Sequence, residues 1–294
     1  MPEEQTQESS PDDWTPPAGP ELLRRLRGDE RPRPVVDTGL AGGLREWLED
    51  GLSEAIRGFD TNTGSLRVSK NLLTWALESP DEVLIAGTPN QGRQMTAQMA
   101  RGILVDALFR QWVTLGKIND PIEDGLSALR ADRKAEAVDF IEGLPQNDLA
   151  LLNDEVALHA HRLVQRWPKL APGWLPRTQD RITIPFCGGA ILLNGVLDLV
   201  IGAPSRGRAS IGLVEVKSGA RRVNDRADLH FYGLLETLRS GAPPFRVATY
   251  YTRTGELDAE ELGDDLLTGA VSRTLDAVSR LCMVGSTSVR DSPQ

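Results

Sequence analysis

Residues 190–202 (AILLNGVLDLVIG) and 210–219 (SIGLVEVKSG) are apolar, strand-like runs, and ionisable side chains interrupt both. Asp198 lies inside the first run, and Glu215 and Lys217 lie inside the second. A half-buried strand avoids charge unless that charge is paired or used. Side chains alternate along a strand, so Glu215 and Lys217 share one face and Val216 points to the other. A hairpin pairing the two runs sets Asp198 beside Glu215. Adjacent carboxylates repel unless a cation lies between them, and Mg²⁺ or Mn²⁺ takes such oxygen ligands. A lysine one step along the same face can hold a water and offset charge on a phosphate. Residue types in this arrangement suit metal-assisted phosphodiester hydrolysis. The plainer alternative puts Glu215 and Lys217 on the solvated face of an edge strand, with Asp198 in a turn.

The chain supplies its own control for the acidic–any–lysine triplet. Asp132-Arg133-Lys134 repeats it in ALRADRKAEA, a highly charged, helix-like stretch with no acidic strand upstream, which reads as a solvated face. Only the copy at 215–217 interrupts an apolar strand.

Around these runs the pattern alternates between helices and strands. Residues 1–34 are rich in Pro, Glu, Asp, Gln and Ser, with little apolar clustering beyond Leu22-Leu23, and read as mostly disordered. Leu44, Trp47, Leu48, Leu52 and Ile56 mark one face of a helix over 40–56, and a second helix spans 69–77 with Ser69 as its cap. A brief strand at 83–86 precedes the polar turn GTPNQGR, and a long helix follows over 94–115. Residues 121–167 read as a helical insert broken near Gly143-Leu144-Pro145. After Pro176 come strands over 181–186, 190–202 and 210–219, a helix over 224–239, a fourth strand over 245–255 and a closing helix over 259–281.

The segment around the triplet resembles the PD-(D/E)XK nuclease superfamily, in its RecB-like branch. Gly195-Val196-Leu197-Asp198 resembles the family's G-x-x-D strand, and Glu215-Val216-Lys217 resembles its signature triplet. The helix DRADLHFYGLL resembles the one in which the family carries a glutamine and a tyrosine four apart; Asp228 stands at the glutamine and Tyr232 matches the tyrosine. Arg101-Gly102-Ile103-Leu104-Val105-Asp106 resembles the first helix, with Asp106 where relatives often place a metal-binding histidine. The resemblance implies an α/β, restriction-endonuclease-like core (αβββαβ, mixed central sheet) with a helical N-terminal and inserted subdomain. The resulting division is a disordered tail over 1–34, a helical region over 35–93, a nuclease-like domain over 94–285 with its insert at about 118–170, and a second disordered tail over 286–294. It further implies a divalent-metal-dependent nuclease acting on DNA, with Mg²⁺ or Mn²⁺ held by Asp198, Glu215 and the Val216 carbonyl, and Asp106 completing the shell. Lys217 is then the third catalytic residue and positions the attacking water. The aspartates at 106 and 228 leave open a second expectation, a nuclease-fold module that binds nucleic acid or a protein partner without cutting.

Charge bears on the partner. The net charge of −9 argues against indiscriminate coating of nucleic acid. Between residues 202 and 226, however, six basic residues (Arg206, Arg208, Lys217, Arg221, Arg222, Arg226) face two acidic ones, which suits a phosphate backbone. Arg221, Arg222 and Tyr232 are the candidates for contact with nucleic acid, and the helical region is a candidate surface for a protein partner. No apolar run approaches the about 20 residues that a membrane span needs, and the acidic opening residues lack a signal-like apolar stretch. Together with two cysteines, Cys187 and Cys282, too few for a disulfide framework, this points to a cytoplasmic protein without membrane contact.

Three decoys fall away. GTPNQGR imitates a phosphate-binding loop but carries Arg93 and Gln94 where lysine and a hydroxyl residue belong. His159 and His161 are about 200° apart on a helix and cannot share an ion; His159 reads as packed and His161 as solvated. Neither cysteine has a partner at metal-binding spacing.

Overall fold

The computed structural model describes residues 19–28, 33–57, 64–79, 94–205 and 207–290. Among them are nine α-helices and a mixed, open, six-stranded sheet. In chain order the elements are α1 (Gly19–Arg27), α2 (Leu40–Ala55), β1 (Leu66–Val68), α3 (Lys70–Glu78), α4 (Ala97–Leu115), α5 (Pro121–Ala131), α6 (Ala135–Glu142), α7 (Gln146–Arg166), β2 (Arg177–Phe186), β3 (Ile191–Ile201), β4 (Gly212–Lys217), α8 (Asp225–Ser240), β5 (Arg246–Tyr251), β6 (Glu256–Glu260) and α9 (Asp264–Arg290). Local chemistry sets several boundaries. The Ser69, Thr96 and Asp120 side chains accept backbone N–H groups in the first turns of α3, α4 and α5. Gly116, at φ 65°, ends α4 in the left-handed conformation that glycine adopts without cost.

β3 organises the sheet. β2 runs antiparallel to it from Arg177↔Val200 to Phe186↔Ile191 and so fills one edge along its length. A strand has two edges, so β1 and β4 share the other. β1 lies parallel against Ile191–Leu193, and β4 lies antiparallel against Leu199–Ile201. Both strands run toward the gap between them, where residues 194–198 of β3 have no ladder partner on this edge. β4 then pairs in parallel with β5 across the α8 crossover, and β5 turns back into β6.

Helices cover both faces. α2, α3, α8 and α9 pack over one face in a core that includes Leu48, Leu52, Leu193, Leu213, Leu235 and Val271. α1, α4 and α7 cover the other around Phe109, Leu163, Trp167 and Tyr250. A third cluster holds α4 to α5, α6 and α7 through Leu104, Leu108, Leu129, Ile141 and Val156. The described residues of the 35–93 region are thus part of the main core: β1 joins the sheet, and α2 and α3 join the layer above it.

Two expectations are corrected. Residues 19–27, expected within a disordered tail, form α1, because Leu22 and Leu26, four apart, bury one face against the second core. The fourth strand, expected over 245–255, is two strands: Gly255, at φ 75°, closes a reversal over 252–255, and 256–260 returns as β6. β6 has a single buried apolar side chain, Leu257, so its sequence carries little strand signal; the closing helix starts later than expected, at Asp264, and runs to Arg290, into the stretch over 286–294 expected to be disordered. The strand expected at 83–86, the GTPNQGR turn and Arg206 lie outside the described residues. No helix among the described residues is long and apolar enough to cross a membrane.

Docking of α1 carries a measurable consequence. Leu22 is fully buried, so Leu22→Ala should lower stability by about 2–4 kcal/mol in urea unfolding, whereas a disordered tail would give no change.

Candidate functional site

The unpaired edge of β3 gathers the charged residues. The register that pairs Leu199 with Val214 would set Asp198 opposite Glu215, but the ladder stops there. Asp198 Oδ2 instead accepts the Val216 N–H at 2.8 Å, which frees the end of β4 to continue along β5. Alternation slips at the same point of β3. Leu193 and Leu197 belong to the first core, while Leu199 and Ile201 belong to the second. On β2, Gln179 is the residue across from Asp198, between Thr178↔Leu199 and Asp180↔Leu197, and its backbone is left-handed at φ 54°. Such irregularities in a strand re-aim side chains next to functional sites.

Glu215 and Lys217 share a face, as alternation requires. Lys217 Nζ stands 3.2 Å from Glu215 Oε1, 3.5 Å from Asp228 Oδ2 and 3.8 Å from Asp225 Oδ1. A second ammonium enters from the opposite side of the gap. β1 points its chain at the site, Lys70 is the first residue of α3, and its Nζ is ion-paired to the same Glu215 Oε1. Lys70 also stands 4.8 Å from the centre of the Tyr232 ring, a cation–π distance. Gly195 makes this stack fit: a β-carbon there would come within 2.6 Å of Tyr232 Cε1.

Burial sets the electrostatics. Burial pushes the Asp198 carboxyl well above its usual range, and Glu215 and Asp106 add to the push against the pull of Lys70. Burial acts on Glu215 the same way, but Lys70 and Lys217 outweigh it and hold that carboxyl low. Burial would lower the Lys70 ammonium, yet Glu215, Asp198 and Asp228 keep it above its usual value. Asp228 is raised chiefly by burial while Lys70 and Lys217 pull it down. Glu215 Oε2 is buried and has no hydrogen-bond partner.

Asp106, on α4, faces this group across a cleft of about 400 Å³ that Gly102, Lys217, Gly219 and Arg222 also line. It accepts hydrogen bonds from Arg110 and Gln179, each at 3.2 Å. The Asp198–Glu215–Lys217 trio is therefore brought together, and Asp106 is turned toward its own partners. Among the described residues no three His, Cys, Asp or Glu side chains converge closely enough to hold an ion as they stand.

The expected nucleic-acid contacts divide. Arg222 is exposed and lines the cleft. Arg221 is ion-paired to Asp258 at 2.5 Å and to Glu256 at 3.5 Å, and Arg226 is paired to Glu260 at 2.6 Å. The acids of β6 thus neutralise part of the basic stretch, which a count along the sequence cannot register. Tyr232 is only 3% exposed and packs in the core, so it is corrected from a nucleic-acid contact to a support beneath Lys70. His159 is buried against Thr252 Oγ1 at 2.9 Å, and His161 is exposed. Thr252 in turn donates its N–H to the Lys217 carbonyl at 2.9 Å, tying the helical insert to the site strand.

Lys70, Gln179 and Thr252 are the residues that sequence reasoning missed. For Lys70 one cue existed: a cation in the first turn of a helix opposes the macrodipole and calls for a partner. Gln179 and Thr252 lie in strand and turn contexts without a motif. Comparison with protein-family models finds no match, and comparison with curated proteins finds none either.

Two measurements follow. Gly195→Ala should destabilise the fold by about 1–3 kcal/mol in chemical unfolding, because Tyr232 must give way under Lys70. Burial lowers the His159 pKa to about 4, below its ordinary 6.5. As pH falls through 6.5 the unfolded chain takes up this proton first, so stability is lost between pH 6.5 and about 4 and is complete above that window. Thermal unfolding at pH 5 should show a loss of about 2 kcal/mol relative to pH 7 that is absent in His159→Gln.

Proposed function

We propose that the chain is a divalent-metal-dependent nuclease that hydrolyses phosphodiester bonds of DNA on a restriction-endonuclease-like core of the PD-(D/E)XK type. The observation that carries this reading is the meeting of Asp198, Glu215 and Lys217 at the unpaired edge of β3, with Glu215 Oε2 buried and without a partner. Burying that oxygen costs free energy that a bound cation would repay.

The donor set suits a hard ion. Asp198, Glu215 and the Val216 carbonyl offer oxygen ligands of the kind Mg²⁺ and Mn²⁺ prefer. Asp106 is the fourth oxygen donor at the cleft, available when it releases Gln179 or Arg110. A bound ion supplies Lewis-acid stabilisation of the charge that builds on the phosphate oxygens. The chain's residues do the rest. Lys217 donates to the attacking water and aims it at phosphorus, while Asp225 and Asp228 steer the ammonium. Arg222, exposed at the cleft, meets the phosphate backbone, and Lys70 adds a second positive charge behind Glu215.

The test is cleavage of linear and circular, single- and double-stranded DNA with Mg²⁺ or Mn²⁺, comparing the native chain with Lys217→Ala. Metal-dependent cutting that falls by about 10²-fold or more in the variant supports the reading. Folded protein that binds DNA and cuts none of these substrates with either metal overturns it in favour of a non-cutting binding module. Cutting that survives in the variant removes Lys217 from the mechanism.

A further inference from the structure

Lys70 comes from outside the segments that carry the nuclease pattern, yet it touches the central carboxylate. Its position is fixed from several sides. β1 is parallel to β3 and delivers the chain to the gap, Ser69 caps α3, and α3 packs into the first core through Leu73 and Ala76. The Tyr232 ring lies against the ammonium, and the side chain is only 16% exposed. A lysine held this way does not swing freely into solvent. On Glu215 it occupies Oε1, the oxygen that Lys217 also contacts, and so leaves Oε2 as the only oxygen of that carboxylate without a partner.

We infer that Lys70 is a resident cation of the site, a positioning residue that holds Glu215 and restricts the site to a single divalent ion. This rests on the metal-dependent reading above. A second divalent ion would need the Glu215 oxygen that two ammonium groups already share. Lys70 therefore takes the Glu215 oxygen that a second ion would need, and leaves Oε2 for the first.

Mn²⁺ binding to the full chain, without DNA, tests this by calorimetry and by electron paramagnetic resonance. The native chain should bind one Mn²⁺. Lys70→Met keeps the apolar stem on Tyr232 and removes the charge, and it should bind Mn²⁺ at least about tenfold more tightly, because a buried like charge beside the ion is gone. Two ions per native chain overturn the inference and leave the metal-dependent reading in place. One ion in both proteins with equal or weaker affinity in Lys70→Met also overturns it, since Lys70 then opposes no ion. No Mn²⁺ binding by either folded protein removes the metal site and the inference with it. The native stoichiometry stands as a measurement even where the variant folds poorly.

Discussion

The structure depends on how one edge of β3 is divided. β2 occupies the other edge, β1 ends at Val68 and β4 leaves the ladder after Val214, so 194–198 are left unpaired between two strands that run toward each other. Unpaired backbone in a buried sheet is costly unless side chains satisfy it. Asp198 does so by accepting the Val216 N–H, and that bond turns the end of β4 into a site instead of a ladder. The charged cluster around Asp198, Glu215 and Lys217 follows from this gap, because it is where a backbone pair has been exchanged for side chains.

A cluster of acids placed there needs cations close by. Glu215 is ringed by two lysines from different directions, one from its own strand and one from α3. Asp106 is held by Arg110 and Gln179, and Asp225 takes the Tyr251 hydroxyl at 3.0 Å. Glu215 Oε2, in contrast, is buried without a hydrogen-bond partner. The supporting parts are apolar and close-fitting: Gly195 lets Tyr232 approach, and Tyr232 lies beneath Lys70. Gly195 and Tyr232 thus have a packing role that can be stated in distances.

Much of the fold was legible because its signals are local. The helices at 40–55, 70–78, 97–115 and 225–240 and the strands at 191–201 and 212–217 follow from apolar spacing, capping residues and alternation. What was missed lacks local signal. α1 shows only two leucines in a polar stretch, β1 is three residues long, and β6 carries one inward leucine among acids. Their stability comes from the surfaces they meet, which pattern-reading along the chain does not see.

The sequence by itself determined that Glu215 and Lys217 share a face, since side chains alternate along a strand, and it pointed to Asp198 as their neighbour while leaving a solvated edge open. It also determined that His159 and His161 cannot act jointly, by helical rotation alone. Only the tertiary structure decided that Lys70 joins the trio, that β6 neutralises Arg221 and Arg226, and that Tyr232 is a support and not a contact surface. The reason is physical: spacing along a strand or helix constrains side chains a few residues apart, whereas ion pairing across 145 residues, as between Lys70 and Glu215, exists only once the sheet has brought β1 and β4 to the same edge.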